Sequence, residues 1–248
     1  MKQLRNLLYR MLGIEKYLFL ISRTYLSLIN LGFFKNRYAE LYYLKKLIKP
    51  GDVCIDIGAN LGYYSVMMSK CCGEQGKLIA VEPVPLFASI WRRNMKRSIR
   101  NYQLEVCALG AKTAGIRMAT PEVAGVLHHG MTRVLEDDKP EHKIFFDAEM
   151  KIPDVVFASI DKLDFVKTDV EGYEAIVFSN MTTTLKKFMP VIQTELSGNE
   201  NRNKVMHLLQ SLGYAVYVLQ SHSLVPATQV QIHSHQSDFY FLPPGFKQ

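Results

Sequence analysis

Three groups of residues in this 248-residue chain could do chemistry. The first is Asp56-Ile57-Gly58-Ala59-Asn60-Leu61-Gly62. Glycines after a short apolar run let the backbone turn tightly and come close to a ligand. The spacing is Gly-x-x-x-Gly, not the Gly-x-Gly-x-x-Gly that seats a pyrophosphate on a helix N-terminus. A carboxylate two residues before the first glycine would repel a pyrophosphate and attract an ammonium or a sulfonium. The run therefore favours a cationic methyl donor, S-adenosylmethionine, over a dinucleotide. The second group is Val81-Glu82-Pro83, whose carboxylate can accept both hydroxyls of a ribose. The third is Lys167-Thr168-Asp169-Val170-Glu171. Read as one strand, it puts Lys167, Asp169 and Glu171 on a single side. Three charges there are costly unless they line a site.

Displacement at a sulfonium methyl requires an aligned acceptor, and an alcohol acceptor must also lose its proton. Asp169 is assigned to positioning the acceptor and Glu171 to the base or acceptor ligand. Glu195, at the end of a later strand, lies on the same face and assists. Lys167 completes the catalytic set, a structural ion pair being its alternative role. Asp169, Glu171 and Glu195 could offer oxygen ligands to a divalent ion, but their spacing does not require one and no metal is predicted. His128 and His129 are candidates for a substrate loop. His233 and His235 alternate as if on a strand and read as surface residues.

These groups need elements to position them. Helical spacing of Leu4, Leu7, Leu8, Met11 and Leu12 predicts a helix over 3–30, and a second runs from Arg37 to Ile48, stopped by Pro50-Gly51. Strands are expected at 53–57, 77–82, 102–109, 165–170, 191–196, 214–219 and 239–242. Helices are expected at 63–70, 87–98, 173–180 and 201–212, and a short antiparallel piece at 116–119. The segment from Pro121 to Pro153, with its charged run Glu136–Glu141, reads as loops over the active face. Strands alternating with helices specify an α/β fold: a Rossmann-like, mostly parallel seven-stranded sheet with an antiparallel C-terminal edge and an N-terminal helical extension.

Taken together, Asp56-x-Gly-Ala-Asn-x-Gly, Val81-Glu82-Pro83, Ala108-Leu109-Gly110 and Asp164-Phe165-Val166-Lys167-Thr168-Asp169-Val170-Glu171-Gly172-Tyr173-Glu174 resemble the FkbM-type methyltransferases. Pro190 to Glu195 and Asp238 to Pro243 resemble that family's fifth and last strand motifs. The likeness covers about residues 38–245. It implies a class I methyltransferase domain over 50–248, preceded by the extension 1–49, that methylates a hydroxyl using S-adenosylmethionine. Carried over residue by residue, Asp56, Gly58, Asn60 and Gly62 match the cofactor loop, with Glu82 and Pro83 at the ribose, Leu109 at the adenine, and Asp169 and Glu171 beside the transferred methyl. Sugars of surface polysaccharides or glycolipids are typical family acceptors, and polyketides or other secondary metabolites are the alternative. A catalytically silent cofactor- or glycan-binding protein is the reading from another class.

Charge is unevenly placed. Residues 1–50 carry ten Lys/Arg against Glu15 and Glu40, a balance of +8, while the whole chain stands at +7. The near-neutral remainder argues against a nucleic-acid partner for the core. Two readings of the basic helix over residues 1–30 stand: packing on the domain as a wall of the substrate pocket, which is preferred, or contact with an anionic membrane or lipid-linked glycan. The longest uncharged N-terminal run, Thr24 to Phe34, is too short to span a bilayer. Four cysteines without a Cys-x-x-Cys pattern fit a reducing compartment. The expected location is cytoplasmic, with association at the inner membrane face as the variant of the second reading.

Overall fold

The structure, a computed structural model, describes residues 2–96, 101–123, 126–135 and 142–246. The run Glu136–Glu141 and positions 97–98 of the expected fourth helix lie outside the described residues.

Helix α1 (Lys2–Asn30) is interrupted at Gly13, whose φ of 71° is not helical, and α2 (Ala39–Leu47) follows a turn. Strand β1 (Val53–Ile57), α3 (Tyr63–Cys72), β2 (Lys77–Val81), α4 (Pro85–Met95) and β3 (Tyr102–Glu105) form the first half of the main sheet. Five strands then build a second sheet: β4 (Ala108–Leu109), β5 (Ala114–Val123), β6 (Val126–Leu127), β7 (Arg133–Val134) and β8 (His142–Lys151). The chain returns through α5 (Pro153–Val156) to β9 (Phe165–Thr168), α6 (Glu174–Ser179), α7 (Thr182–Phe188), β10 (Val191–Thr194), α8 (Asn199–Ser211), β11 (Ala215–Gln220), β12 (Ser223–Pro226), α9 (Gln229–Ser234) and β13 (Phe239–Leu242).

The main sheet has the order β12-β11-β13-β10-β9-β1-β2-β3. Strands β3, β2, β1, β9 and β10 are mutually parallel, and β13 runs antiparallel between β10 and β11. The α/β, mostly parallel expectation holds, with eight strands in place of seven. The antiparallel strand β13 lies inside the sheet, and the edge is the hairpin β11–β12. Ser221 and His222 turn that hairpin, both with positive φ (48° and 63°). A two-residue turn needs such angles to match strand twist, but Ser-His lacks the Asn-Gly signature that would have announced it. The expectation of no helix between the last two strands is also corrected. Thr228 and Gln231 form a capping box that starts α9, so His233 is helical and His235 ends that helix.

The expected third strand over 102–109 divides: β3 stays in the main sheet, whereas β4, with Leu109, pairs with β8 in the second. The segment read as loops after Pro121 contributes β6, β7 and β8, and β5 with β8 forms a ten-residue antiparallel pair.

Three buried clusters hold these layers. Ile55, Val166, Ile192 and Phe241 face α6 and α8, while Cys54, Phe165, Val191 and Tyr240 face α2 and α3. The third joins Tyr17 and Leu18 of α1, Phe87 and Ile90 of α4, and Met118 and Leu127 of the second sheet. A polar contact fixes α1 there: the buried Asn94 amide donates to the Ser22 hydroxyl (2.9 Å) and to the Leu61 carbonyl (2.8 Å). Arg93 lies 3.7 Å over the Phe19 ring. The extension is thus packed against the α/β layers, as preferred. No described helix is long and apolar enough to cross a membrane.

Two glycines after β1 have separate jobs. A Cβ at Gly58 (φ +80°) would collide with the Asp169 carbonyl, and one at Gly62 (φ +93°) would press on the Trp91 ring at 3.0 Å. Gly58 therefore lets the loops after β1 and β9 touch, and Gly62 seats α3 against α4. Gly58→Ala is expected to cost more than the ~1–3 kcal/mol of a left-handed non-glycine residue, because backbone must also move. Gly172→Ala (φ +94°, with open space around it) should stay within that range. Urea denaturation of the two variants compares them, and equal losses would refute the collision.

Candidate active site

Strand register builds the site. Asp56 of β1 pairs with Lys167 of β9, Lys167 with Gln193 of β10, and Gln193 with Tyr240 of β13. Alternation puts all four on the α3 face, so a polar row crosses an otherwise apolar sheet. Lys167 is 1% exposed. Its ammonium lies 3.8 Å from both Asp169 and Asp238, 4.8 Å over the Tyr64 ring, and donates to the Thr168 carbonyl at 3.3 Å. Burial works against its charge, but Asp238, Asp169 and Asp56 outweigh that and raise its pKa. Asp238 also accepts from the Gln193 amide. Lys167 thus occupies the structural ion-pair role left as its alternative, while still facing a cavity.

Asp56 is buried beside it. Burial raises its pKa to about 6, against the Ser65 hydroxyl hydrogen bond and the Lys167 charge, which lower it. The Trp91 indole N–H donates to that same Ser65 oxygen at 2.7 Å. Glu82, just past β2, accepts from the backbone N–H of Asn60 and of Val84, each at 2.8 Å. Burial nevertheless lifts its pKa to about 7.

The turn after β9 is set by Glu174. Its buried carboxylate accepts from the backbone N–H of Val170 (3.0 Å) and Gly172 (3.2 Å) and from the Asn201 amide (2.6 Å). That turn carries Asp169, whose N–H donates to the Ile57 carbonyl at 3.0 Å, and Glu171, which has a positive φ of 53°. Strand β9 ends at Thr168, so Glu171 reaches the cleft through a turn and not by strand alternation; this corrects the one-strand reading. Burial, Asp169 and Glu195 raise the Glu171 pKa to about 7.

These pieces line a cleft of about 710 Å³, counting what is open to solvent. Its floor holds Gly58, Asn60, Glu82, Pro83, Asp169 and Glu171, and its wall includes Val81, Phe87 and Leu109. The second sheet contributes Met118, Thr132 and Val134, a side the sequence did not show. His129 closes it: its Nδ1 lies 2.9 Å from the Asn60 side-chain oxygen, and its carbonyl accepts from the Asn60 amide at 3.0 Å.

Several expected residues lie elsewhere. Asp56, Lys167 and His128 face a second cavity, which Asp169 also lines. Gly62 lines neither space. Glu195, past the end of β10 and exposed, lines a neighbouring depression with Arg202 and His233 and not the cleft, although its charge still acts on Asp169, Lys167 and Glu171. Asp169, Glu171 and Glu195 do not converge as metal ligands, and no group of three or more His, Cys, Asp or Glu placed to hold a metal occurs among the described residues. Asp238 and Glu174 carry structural loads that were not anticipated, although each is a carboxylate adjoining a wholly or largely buried element.

The donor set suits a cationic nucleoside. The buried carboxylate of Glu82, its pKa raised by burial, would gain from a positive charge, and the apolar wall from Val81 to Leu109 would take a flat ring. Asp238→Asn should destabilise the fold by ~3–5 kcal/mol, the usual loss when one partner of a buried ion pair is removed. In urea denaturation, Lys167→Met combined with Asp238→Asn should cost less than the two losses added, since the pair is coupled. Simple additivity would show that the two groups act independently.

Residues 56–218 match the Methyltransferase FkbM domain family. Protein-L-isoaspartate O-methyltransferase of Caenorhabditis elegans is 24% identical over 153 residues, covering 58% of this chain and 67% of that protein. Among solved structures, methyltransferase FkbM from Methylobacillus flagellatus KT aligns with a TM-score of 0.50 at 13% identity over 82% of this chain, which spans 50% of that one. An S-adenosylmethionine-dependent O-methyltransferase from Thermotoga maritima aligns with a TM-score of 0.47 at 13% identity, covering 85% of this chain and 67% of that one. At such identities the likeness to the solved structures is one of fold.

Proposed function

This chain belongs to the FkbM methyltransferase family, and we propose that it transfers the methyl group to the oxygen of an alcohol. Its fold is that of the class I methyltransferases, its cofactor is S-adenosylmethionine, and its reaction is methyl transfer. When bound, the cofactor supplies a methyl carbon already activated on a sulfonium. Gly58, Asn60, Glu82 and Leu109 are the residues that would hold it: the Glu82 carboxylate at the ribose, Leu109 at the ring, and the Asn60–His129 contact closing the floor.

The observation that carries the oxygen assignment is the pair Asp169 and Glu171 lining the cleft together. A base works best with a pKa near the working pH, and Glu171 sits at about 7. Its carboxylate takes the proton of the acceptor hydroxyl, while Asp169, held beside Lys167, orients that hydroxyl. The acceptor in the name of the C. elegans relative, an isoaspartyl residue, would bring a carboxylate of its own to this acidic end. Like charge opposes that, and an alcohol avoids it. A sugar hydroxyl of a glycan or glycolipid is the acceptor we favour, with polyketide alcohols second.

Glu171→Gln and Asp169→Asn should each lower turnover by about 10²–10⁴-fold, the range for loss of positioned acid–base chemistry, with cofactor affinity within a few-fold of the parent. Because the carboxylate is the active form, kcat in the parent should rise with pH through about 7, and Glu171→Gln should flatten that limb. The assay is transfer of labelled methyl to a panel of sugar alcohols. Full turnover in both variants, with cofactor still bound, would reject the assignment.

A further inference from the structure

The cofactor cleft ends at a second, larger space of about 1690 Å³, counting what is open to solvent. The two share Gly58, Asn60, His129, Gly130 and Asp169 as a common wall. In-line displacement brings the acceptor oxygen to the methyl from the side away from the leaving sulfur, and Asp169 borders both this space and the cofactor cleft. Its charged residues are gathered at one end: Asp56, Lys167 and Asp169. Asn60, His128 and His129 add polar groups, and most of the remaining wall is aliphatic or tyrosine. Leu18, Ile21, Tyr25 and Ile29 present one face of α1 to it, at the helical intervals that keep side chains in line. Tyr38 and Tyr63 continue the wall, and Tyr25 meets Tyr63 edge to face at 6.4 Å.

We propose that the N-terminal helix forms the acceptor site, and that the acceptor is an amphiphilic alcohol: a hydroxyl-bearing head at Asp169 on an extended apolar body along α1. This rests on the oxygen-transfer reading above. Leu18 and Ile29 are already buried, but a free sugar would leave the half-buried Ile21 and Tyr25 uncovered, whereas an apolar body would cover them at roughly 25 cal/mol per Å². The body could be a lipid chain bearing a sugar or the fused rings of an aromatic alcohol. Both present the same chemistry to this wall.

The test is calorimetric titration of the full chain, holding S-adenosylhomocysteine, with three probes: n-decyl β-glucoside below its micelle concentration, 2-naphthol, and glucose. The parent should bind at least one apolar probe ten-fold or more tightly than glucose. Preference for decyl glucoside marks a lipid-borne sugar, and preference for naphthol marks a ring body. Ile21→Trp, which fills the wall from a half-buried position, should weaken the preferred probe at least ten-fold while S-adenosylhomocysteine binds as before. That unchanged binding also reports a folded protein. Tyr25→Ala, a milder change, should weaken the probe several-fold. Equal binding of all three probes, or probe binding untouched in both variants, overturns the acceptor site. Apolar-probe binding that follows this pattern, with labelled methyl passing only to nitrogen or carboxylate acceptors, would keep the site and overturn the oxygen assignment.

Discussion

A buried ammonium sets the terms for this molecule. Lys167 sits on an inner strand of the main sheet, where the other face packs Val166, Ile55 and Ile192 into the apolar core. A charge there is tolerable only with carboxylates around it. Asp56 comes from one adjacent strand, Asp169 from the end of its own, and Asp238 from the residue before β13. The same arrangement brings three segments distant in sequence to one point. It also leaves Asp169 as the member that is both paired and open, with a side chain 40% exposed. A carboxylate held at one edge by a cation and free at the other is suited to orienting a hydroxyl.

Around that point the chain uses backbone as much as side chains. Gly58 carries no Cβ because the Asp169 carbonyl occupies the space. Glu82 and Glu174 bind N–H groups of the loops that must stay still, at Asn60 and Val84 in one case and Val170 and Gly172 in the other. Turn N–H groups near a ligand would otherwise be bare or solvated. The acids of the two motifs therefore differ in load: Glu174 shapes a loop, Glu82 shapes one while lining the cleft, and Asp169 and Glu171 line it without holding a turn.

Much of this was legible in the sequence. The bounds of β1 and β13 were read to the residue, because each is a short apolar run ended by Gly or Pro. Gly58, Asn60, Glu82, Pro83, Leu109, Asp169 and Glu171 do gather in one cleft. What was not legible depends on pairing across long sequence distances. Asp56 and Gly62 belong to the same motif, yet one points to the second cavity and the other packs on Trp91, since their directions follow from strand alternation and helix contact. The second sheet was missed because β5 and β8 define each other; alone, Ala114–Val123 carries Gly115 and Pro121 and reads as a weak strand. Glu195, one residue past the end of β10, does feel the charge of Asp169 and Lys167 but lines a neighbouring depression instead of the cleft.

The basic N-terminal segment carries two opposite signals, and the structure separates them by face. Lys16, Lys35, Arg37, Lys45, Lys46 and Lys49 are exposed. The inward face of the same helices is Leu18, Ile21, Tyr25, Ile29 and Leu41. The +8 balance therefore describes the outside of the extension and says little of what its inside receives. Within the second cavity Lys167 is the one lysine or arginine among the described lining residues, and its charge is already met by Asp169 and Asp238. An anionic acceptor head would find no spare cation there and two carboxylates to repel it. A neutral hydroxyl faces no such penalty, and the apolar wall behind it rewards whatever carries that hydroxyl for being large and greasy rather than charged.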